Sequence, residues 1–322
     1  MAKKILGVLV VVGILIGSLV WLLSREDQLI DESAGAKKKL GVVTTTTMVT
    51  DMVKMVGGER ISVSGLMGPG VDPHSYQVTF RDTAALRGAD LIFYSGHHLE
   101  GKMQEVLEKR AKKHGGVFAV TDGIVQTSLL MPEEEFQGYY DPHVWGDPKL
   151  WAECIKVVVN ALSQADPSGA EDYQQRAEDY HKELLALDQW VQTRIAEIPV
   201  SQRVLVTSHD AFHYLGQAYG IQVKGLQGIS TNSESGLKDR AELVAFIKRR
   251  QLKTIFPESS VNAKGIKAVA AEAGVKVSEH ELFSDAMGDP GEIVQLHGES
   301  YDKGSYIGMI KHNVNTVVDG LK

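Results

Sequence analysis

The chain has 322 residues, of which 43% are hydrophobic and 23% are charged, and its formal net charge is -7. This length is enough for two domains of ordinary size, and the composition is that of a globular protein. The acidic balance argues against a nucleic-acid-binding protein, which needs a basic face for the phosphates. The only cysteine, Cys154, cannot form an intramolecular disulfide, and its apolar neighbours predict a buried free thiol.

An uncharged, mainly apolar run of nineteen residues occupies positions 5–23, directly after Lys3 and Lys4. As a helix it would span about 28 Å, close to the thickness of a bilayer core. The lysines predict that the N-terminus lies in the cytoplasm and the rest of the chain outside. The run ends without an A-x-A pattern, which favours an uncleaved signal anchor in residues 1–24 over a cleaved signal peptide. Residues 25–39 are polar and charged, and they predict a flexible tether.

Strand-like and helix-like segments alternate along the next part of the chain. Short β-branched or apolar runs predict strands at residues 40–44, 60–66, 91–94 and 117–120. Amphipathic patterns predict helices at residues 48–56, 79–88, 99–114 and 148–164. Such alternation is typical of a parallel sheet covered by helices on both faces, so the predicted fold class is α/β.

One long segment then interrupts the alternation, since no proline or glycine occurs between Gly169 and residue 198. Apolar or aromatic residues recur there mostly at intervals of three and four, at Tyr173, Ala177, Tyr180, Leu184, Leu187, Trp190, Val191 and Ile195. The pattern predicts one helix of about 28 residues, roughly 42 Å long. A helix of that length can hold two lobes at a fixed spacing.

Alternation resumes after the long helix. Strands are predicted at residues 204–207, 223–226, 254–256 and 275–278, and helices at 211–219, 236–251, 263–273 and 306–321. The predicted architecture is two lobes, each a mainly parallel sheet flanked by helices, joined by one long backbone helix. The corresponding boundaries are residues 40–165 for the first lobe, 166–198 for the joining helix and 199–322 for the second lobe.

The tripeptide Asp-Pro-His occurs twice, ending at His74 and at His143, and His209 directly follows a predicted strand. Taken alone, such a tripeptide is often only a turn, and its proline and aspartate are expected to shape the loop. Imidazole nitrogens and carboxylate oxygens are, however, the usual ligands of zinc, manganese and iron(II). Together with Asp285, the histidines follow strand ends or loops of both halves, where ligands of open α/β sheets bind. A cation held between two lobes needs this distribution.

Other histidines are weaker candidates. His213 lies one helical turn after His209, a spacing at which two histidines can share a metal, so it is a reserve candidate. His97 and His98 are interpreted as the start of a helix rather than as a metal-binding tract.

Enzyme motifs are absent from the sequence. It contains no G-x-S-x-G, P-loop or H-E-x-x-H pattern, and no G-x-G-x-x-G opens a helix after the first strand. Ser208, His209 and Asp210 have the residue types of a hydrolase triad, but adjacent residues cannot form its hydrogen-bonded relay. We therefore predict that the chain is not an enzyme.

Seven ordered motifs carry a family resemblance. They are GLMGPGVDPH at residues 65–74, LEGKM at 99–103, DPHVW at 141–145, LVTSHDAF at 205–212, GLQG at 225–228, FPESS at 256–260 and FSDAMG at 283–288. With them the chain resembles, over residues 40–321, the solute-binding proteins of manganese, zinc and iron ABC importers, the metal-binding class with a rigid inter-lobe helix.

The resemblance implies a set of metal-binding residues. His74 and His143 would be ligands from the first lobe, and His209 and Asp285 ligands from the second. Two further residues would lie beside the metal or support its ligands: Asp72, as an additional ligand or a supporting group, and Glu258, as a supporting group. The implied cargo is Zn(II) or Mn(II), with Fe(II) as a third choice. Zinc-dedicated members often carry a long histidine-rich loop before the second histidine, whereas residues 131–140 here contain none, which favours manganese or a mixed zinc and manganese binder.

The resemblance also implies a function and partners. The chain would be a monomeric extracytoplasmic protein, in the periplasm or on the outer face of the cytoplasmic membrane, that delivers the metal to a permease driven by a cytoplasmic ATPase. Many relatives are lipoproteins, but this chain lacks the N-terminal cysteine, so membrane attachment would depend on residues 5–23. Two alternatives stay open: a surface adhesin or structural protein with a fold-stabilising metal site and, less favoured, a metallohydrolase.

Overall fold

Four parallel strands form the sheet of the first lobe, in the order β2-β1-β3-β4. The structure is a computed structural model, which describes residues 39–132, 138–232 and 235–322. The strands are β1 (Leu40–Thr44), β2 (Ile61–Gly65), β3 (Leu91–Tyr94) and β4 (Val117–Ala119). Val42 in β1 pairs with Val63 on one side and Leu91 on the other. Helices cover this parallel sheet, which explains why its central strands are continuous apolar runs.

Four helices accompany this sheet: α1 (Thr47–Gly57), α2 (Phe80–Gly88), α3 (Gln104–His114) and α4 (Pro148–Ala165). Side-chain caps set where α1, α2 and α4 begin. Thr79 and Asp82 bond each other's backbone N–H groups reciprocally at the start of α2. Asp147 accepts a hydrogen bond from the backbone N–H of Lys149 at the start of α4.

Helix α3 begins at Gln104, so the prediction of a helix from residue 99 is wrong by five residues. The interpretation of His97 and His98 as a helix start is also wrong. Their φ angles are 47° and 66°, in the left-handed region that an α-helix cannot use. The imidazole of His98 instead stacks on the Tyr139 ring, with centroids 4.4 Å apart.

The long joining helix, α5, runs from Ala170 to Ile195. Its 26 residues span about 39 Å, slightly less than predicted, because Pro167–Gly169 form a separate 3-10 turn before it. All but one of the eight predicted core positions are buried. The exception is Trp190, which is half-buried and donates its indole N–H to Glu299 Oε1 at 2.8 Å.

The second lobe contains two pairs of parallel strands: β5 (Val204–His209) with β6 (Gln222–Gln227), and β7 (Thr254–Ile255) with β8 (Lys276–Val277). The backbone N–H of Phe256 donates to the carbonyl of Val206 at 2.9 Å, which joins the two pairs. Its helices are α6 (His213–Tyr219), α7 (Leu237–Arg250), α8 (Lys264–Ala273) and α9 (Tyr306–Leu321).

The largest cluster of the hydrophobic core extends through both lobes, and each lobe has a smaller cluster of its own. Helix α5 packs against α1 and α4 of the first lobe and against α6 and α9 of the second. One cluster of buried side chains extends from Val42 in β1 through Leu184 in α5 to Phe256 and Val318 in the second lobe. Because interiors are close-packed, a wide hinge opening would have to break these contacts. The fold therefore allows only limited movement of one lobe relative to the other.

Adjacent leucines on α5 allow a test of this packing. Leu184 is fully buried, whereas Leu185 is 39% exposed. We expect Leu184→Ala to lower the free energy of unfolding by about 2–5 kcal/mol, because it removes apolar contacts and leaves a cavity in the shared core. Leu185→Ala should change it by less than about 1 kcal/mol. Urea denaturation followed by circular dichroism measures both, and equal losses would contradict the burial of the Leu184 face.

One hairpin was not predicted. Strands β9 (Ile293–Leu296) and β10 (Glu299–Asp302) form an antiparallel hairpin. Its two turn residues, His297 and Gly298, have φ angles of 52° and 78°, the positive values that tight hairpin turns require.

Residues Leu40–Lys322 form one compact unit. The lobe boundaries at residues 165 and 198 stay a prediction. The predicted signal anchor in residues 1–24 and the tether up to residue 38 lie outside the described residues. Within the described ranges, no helix is long and apolar enough to cross a membrane. Cys154 is a buried free thiol, as predicted.

Candidate metal centre

Four buried side chains meet between the two lobes: His74, His143, His209 and Asp285. Each offers one nitrogen or oxygen atom, and these four atoms all lie within 4.8 Å of one another. All four side chains are at most 1% exposed. These are the four residues that the sequence singled out as metal ligands, and the fold brings them to one point.

His74 lies in the loop that follows β2. Its backbone N–H donates to Asp72 Oδ1 at 2.8 Å, so the aspartate shapes the turn that presents the imidazole. The second-lobe residue Thr231 donates its hydroxyl to Asp72 Oδ2 at 2.6 Å, and Asn232 donates to the His74 carbonyl at 3.0 Å. The loop is therefore held from both lobes.

Asp141 contacts both the backbone and the ring of His143. Its backbone N–H donates to Asp141 Oδ1 at 2.9 Å, and its ring Nδ1 lies 2.7 Å from the same oxygen. The imidazole Nε2 then points at the site, 3.3 Å from Asp285 Oδ1 and 3.4 Å from His74 Nε2. A carboxylate behind a ligating histidine fixes its tautomer and its orientation.

His209 is the last residue of β5, at the carboxyl end where ligands of α/β sheets bind. Glu258 accepts its backbone N–H at 2.8 Å and lies 2.5 Å from its ring Nδ1. The chain around Glu258 pairs with Leu282 in parallel, which places Asp285 three residues further along beside the same site. His209 Nε2 lies 3.3 Å from Asp285 Oδ2.

First-lobe groups hold the loop that carries Asp285. The indole N–H of Trp145 donates to the carbonyl of Ser284 at 2.8 Å, and the backbone N–H of Met287 donates to the Thr47 hydroxyl at 2.8 Å. Asp285 is therefore fixed by hydrogen bonds on both sides in sequence.

The three histidines of the site differ in their protonation at neutral pH. Burial lowers the pKa of His74 to about 4, against the opposing charge of Asp285, so this imidazole is neutral at pH 7. Burial also acts against protonation of His143, but Asp141 and Asp285 together raise its pKa to about 9.

The other two groups form an ion pair. Although burial opposes it, Glu258 and Asp285 hold the pKa of His209 well above its usual range. Despite burial, the two cationic imidazoles His209 and His143 hold the pKa of Asp285 well below its usual range. Two imidazolium groups thus share one carboxylate at neutral pH.

The donor set fits a divalent transition metal. Within the described ranges, His209 Nε2 and Asp285 Oδ1 are buried and make no hydrogen bond of good geometry. Buried polar atoms without hydrogen bonds cost free energy, and a cation bound by both would remove that cost. Three imidazole nitrogens and a carboxylate suit Zn(II), Mn(II) or Fe(II).

The remaining candidates lie around this group rather than in it. Both oxygens of Asp72 accept hydrogen bonds from protein groups, and Asp72 does not belong to the four. Glu258 lies behind His209, against its ring Nδ1, and its supporting role stays a prediction. His213, the reserve candidate, contacts Asp141 and Asp210 instead of the four. The pairing of Asp141 with the ring of His143 was missed, and the repeated tripeptide was its only signal.

The sequence family described as zinc-uptake complex component A, periplasmic, matches residues 42–320. The manganese-binding lipoprotein MntA of Bacillus subtilis is 42% identical, over 90% of this chain and 93% of its own length. The iron-binding protein YfeA of Yersinia pestis is 31% identical, over 88% of this chain and 87% of its own.

The zinc-binding protein TroA of Treponema pallidum is 44% identical, over 90% of this chain and 91% of its own length. Its solved structure superposes with a TM-score of 0.82 and covers 88% of this chain and 99% of that one. Members of the family work with the permease and ATPase of an importer. With its two lobes, long joining helix and buried site, the chain belongs to this family of metal-binding solute-binding proteins of ABC importers and is not an enzyme.

Proposed function

We propose that this chain binds a divalent transition metal through His74, His143, His209 and Asp285 and carries it to the permease of an ABC importer. The observation that supports this assignment most directly is the convergence of four buried donor atoms within 4.8 Å of one another. Two donors come from each lobe, so the cation would be held between them. The site is suited to binding a cation, since its four donor atoms lie close together and are buried.

We propose Mn(II) or Zn(II) as the cargo, with Fe(II) as the third choice. Among the relatives named above, MntA is described as binding manganese, TroA zinc and YfeA iron. Affinity alone favours zinc over manganese at most nitrogen and oxygen sites, whatever the biological cargo. The deciding experiment is elemental analysis of protein purified from its native envelope, paired with metal uptake in a deletion strain. If uptake of manganese, zinc and iron were all unaffected by the deletion, the proposed transport role would be wrong.

Release would occur by local displacement of ligands. The core shared through α5 resists a wide hinge movement. We infer that docking on the permease displaces the ligands of one lobe from their coordinating positions while most of the core stays packed.

Chelation distinguishes a carrier from a protein that uses metal as a structural element. The core consists of apolar side chains that do not depend on the site, so EDTA should strip the metal and leave the far-ultraviolet circular dichroism unchanged. Thermal unfolding of the metal-free protein should stay cooperative, with a lower Tm, because a bound ligand stabilises only the folded state. Cooperative unfolding on addition of EDTA at 25 °C would instead support the structural or adhesin alternative.

We propose that residues 5–23 anchor the protein to the outer face of the cytoplasmic membrane and that the protein is a monomer. The length of the apolar run and the lysines before it support anchoring. Carbonate extraction of membranes and N-terminal sequencing test it: an intact N-terminus in the carbonate-resistant pellet is expected, and a soluble form that begins near residue 25 would refute it. Light scattering measures the molar mass in solution and so tests whether the protein is a monomer.

A further inference from the structure

Asp141 connects a metal ligand to the opposite lobe. It is 1% exposed, and one of its oxygens, Oδ1, contacts both the backbone N–H and the ring Nδ1 of His143. The orientation of the imidazole therefore depends on where Asp141 is held. The groups that hold Asp141 come mainly from the second lobe.

Tyr214 of α6 fixes the backbone on which Asp141 lies. Its hydroxyl donates to the Asp141 carbonyl at 2.9 Å and accepts from the Leu130 backbone N–H at 3.0 Å. The Asp141 backbone N–H donates in turn to the Leu130 carbonyl at 2.8 Å. One buried phenol thus joins the backbones of Leu130 and Asp141 and ties both to the second lobe.

His213, the preceding residue, lies beside the carboxylate, whose Oδ2 is buried and makes no hydrogen bond of good geometry among the described residues. Its Nδ1 lies 3.3 Å from Asp141 Oδ2, the oxygen that does not contact His143. Its Nε2 lies 3.5 Å from Asp210 Oδ1, and that oxygen also accepts the backbone N–H of Gly225. The imidazole therefore lies between Asp141 and a fixed carboxylate of the second lobe, close enough to attract both when it is protonated.

We propose that His213 and Tyr214 are positioning residues for the metal ligand His143, acting through Asp141. They begin α6 only four residues after His209, so a single short segment supplies one ligand and aligns another from the other lobe. These contacts involve only protein groups, and they set the angle of the His143 ring. Such preorganisation reduces the ordering cost of binding.

This inference rests on the proposed function, and it is tested with Co(II) and Zn(II) on the full chain. Tyr214→Phe should weaken binding of both metals about tenfold, the lower end of what the loss of a supporting residue costs, and alter the visible Co(II) spectrum. The matched control is Tyr219→Phe on the same helix, which removes a buried hydroxyl bonded to Asp188 at 2.9 Å, away from the site. The control should lose stability but keep the affinity and the spectrum.

A second pair of variants tests His213. His213→Ala should weaken binding and change the Co(II) spectrum, and His213→Gln, which keeps a donor near Asp141, should recover most of both. Affinities and spectra of Tyr214→Phe equal to those of Tyr219→Phe, together with an unaffected His213→Ala, would overturn the inference. If the unaltered chain binds neither metal, the proposed function fails instead, which is a separate result.

Discussion

Asp285→Asn is expected to weaken metal binding at least about a hundredfold, more than the 10–100-fold typical of losing a supporting residue. Asp285 is the only anionic donor among the four, and its two oxygens lie 3.3 Å from the Nε2 atoms of His143 and His209. Asparagine keeps the shape but removes the charge that attracts a dication. Competition with a chromophoric chelator measures the loss.

Asp289→Asn is the matched control, because Asp289 is an exposed carboxylate four residues further along. It should bind metal like the unaltered protein. If Asp285→Asn bound as tightly as Asp289→Asn, the assignment of Asp285 as a ligand would be wrong. Asp285→Asn should also lower the pKa of His143 and of His209, because it removes a negative charge that stabilises both imidazolium groups.

Metal affinity is expected to rise steeply between pH 6 and pH 9. His143, with a pKa of about 9, and His209, with a pKa well above its usual range, carry protons at pH 7 in the metal-free protein. Coordination requires neutral imidazoles, so binding must release up to about two protons. Each proton released corresponds to about a tenfold gain in affinity per pH unit at pH values below the pKa of its group, and the gain levels off above that pKa.

The stability of the metal-free protein depends on pH in the opposite direction. The pKa of His143 is higher in the folded protein than its ordinary value of 6.5, so protonation stabilises the metal-free fold. That contribution is complete below pH 6.5 and is lost as the pH rises through about 9.

The predicted pH dependence of metal affinity can be measured directly. Calorimetry in buffers of different ionisation enthalpy counts the protons that are released when the metal binds. An affinity that stayed constant from pH 6 to pH 9 would contradict the charge distribution at the site.

The sequence was sufficient for most elements and for the four converging residues. Strong periodicity located α5 almost to its ends, and strand-end positions indicated that His74, His209 and Asp285 would meet. The start of α3 was wrong because His97 and His98 occupy left-handed conformations that their residue type does not predict. The hairpin of β9 and β10 was missed for the same reason, since its turn begins at His297 rather than at glycine.

Contacts between the lobes could not be predicted. Nothing in the pattern around Tyr214 distinguishes a phenol bonded to Asp141 from one that merely fills the core. The two Asp-Pro-His copies look equivalent in sequence, yet Asp141 contacts the ring of its histidine, whereas Asp72 bonds Ser75 and Thr231. Side-chain orientation decided these roles.

The position of α9 has a consequence for folding. This helix is the last element of the fold, yet it packs against α1 and α5 and completes the core that begins with β1. A chain made from its N-terminus cannot bury the matching faces of α1 and α5 fully until residues Tyr306–Leu321 are available. The packing of the first lobe is therefore completed by one of the last segments to be made.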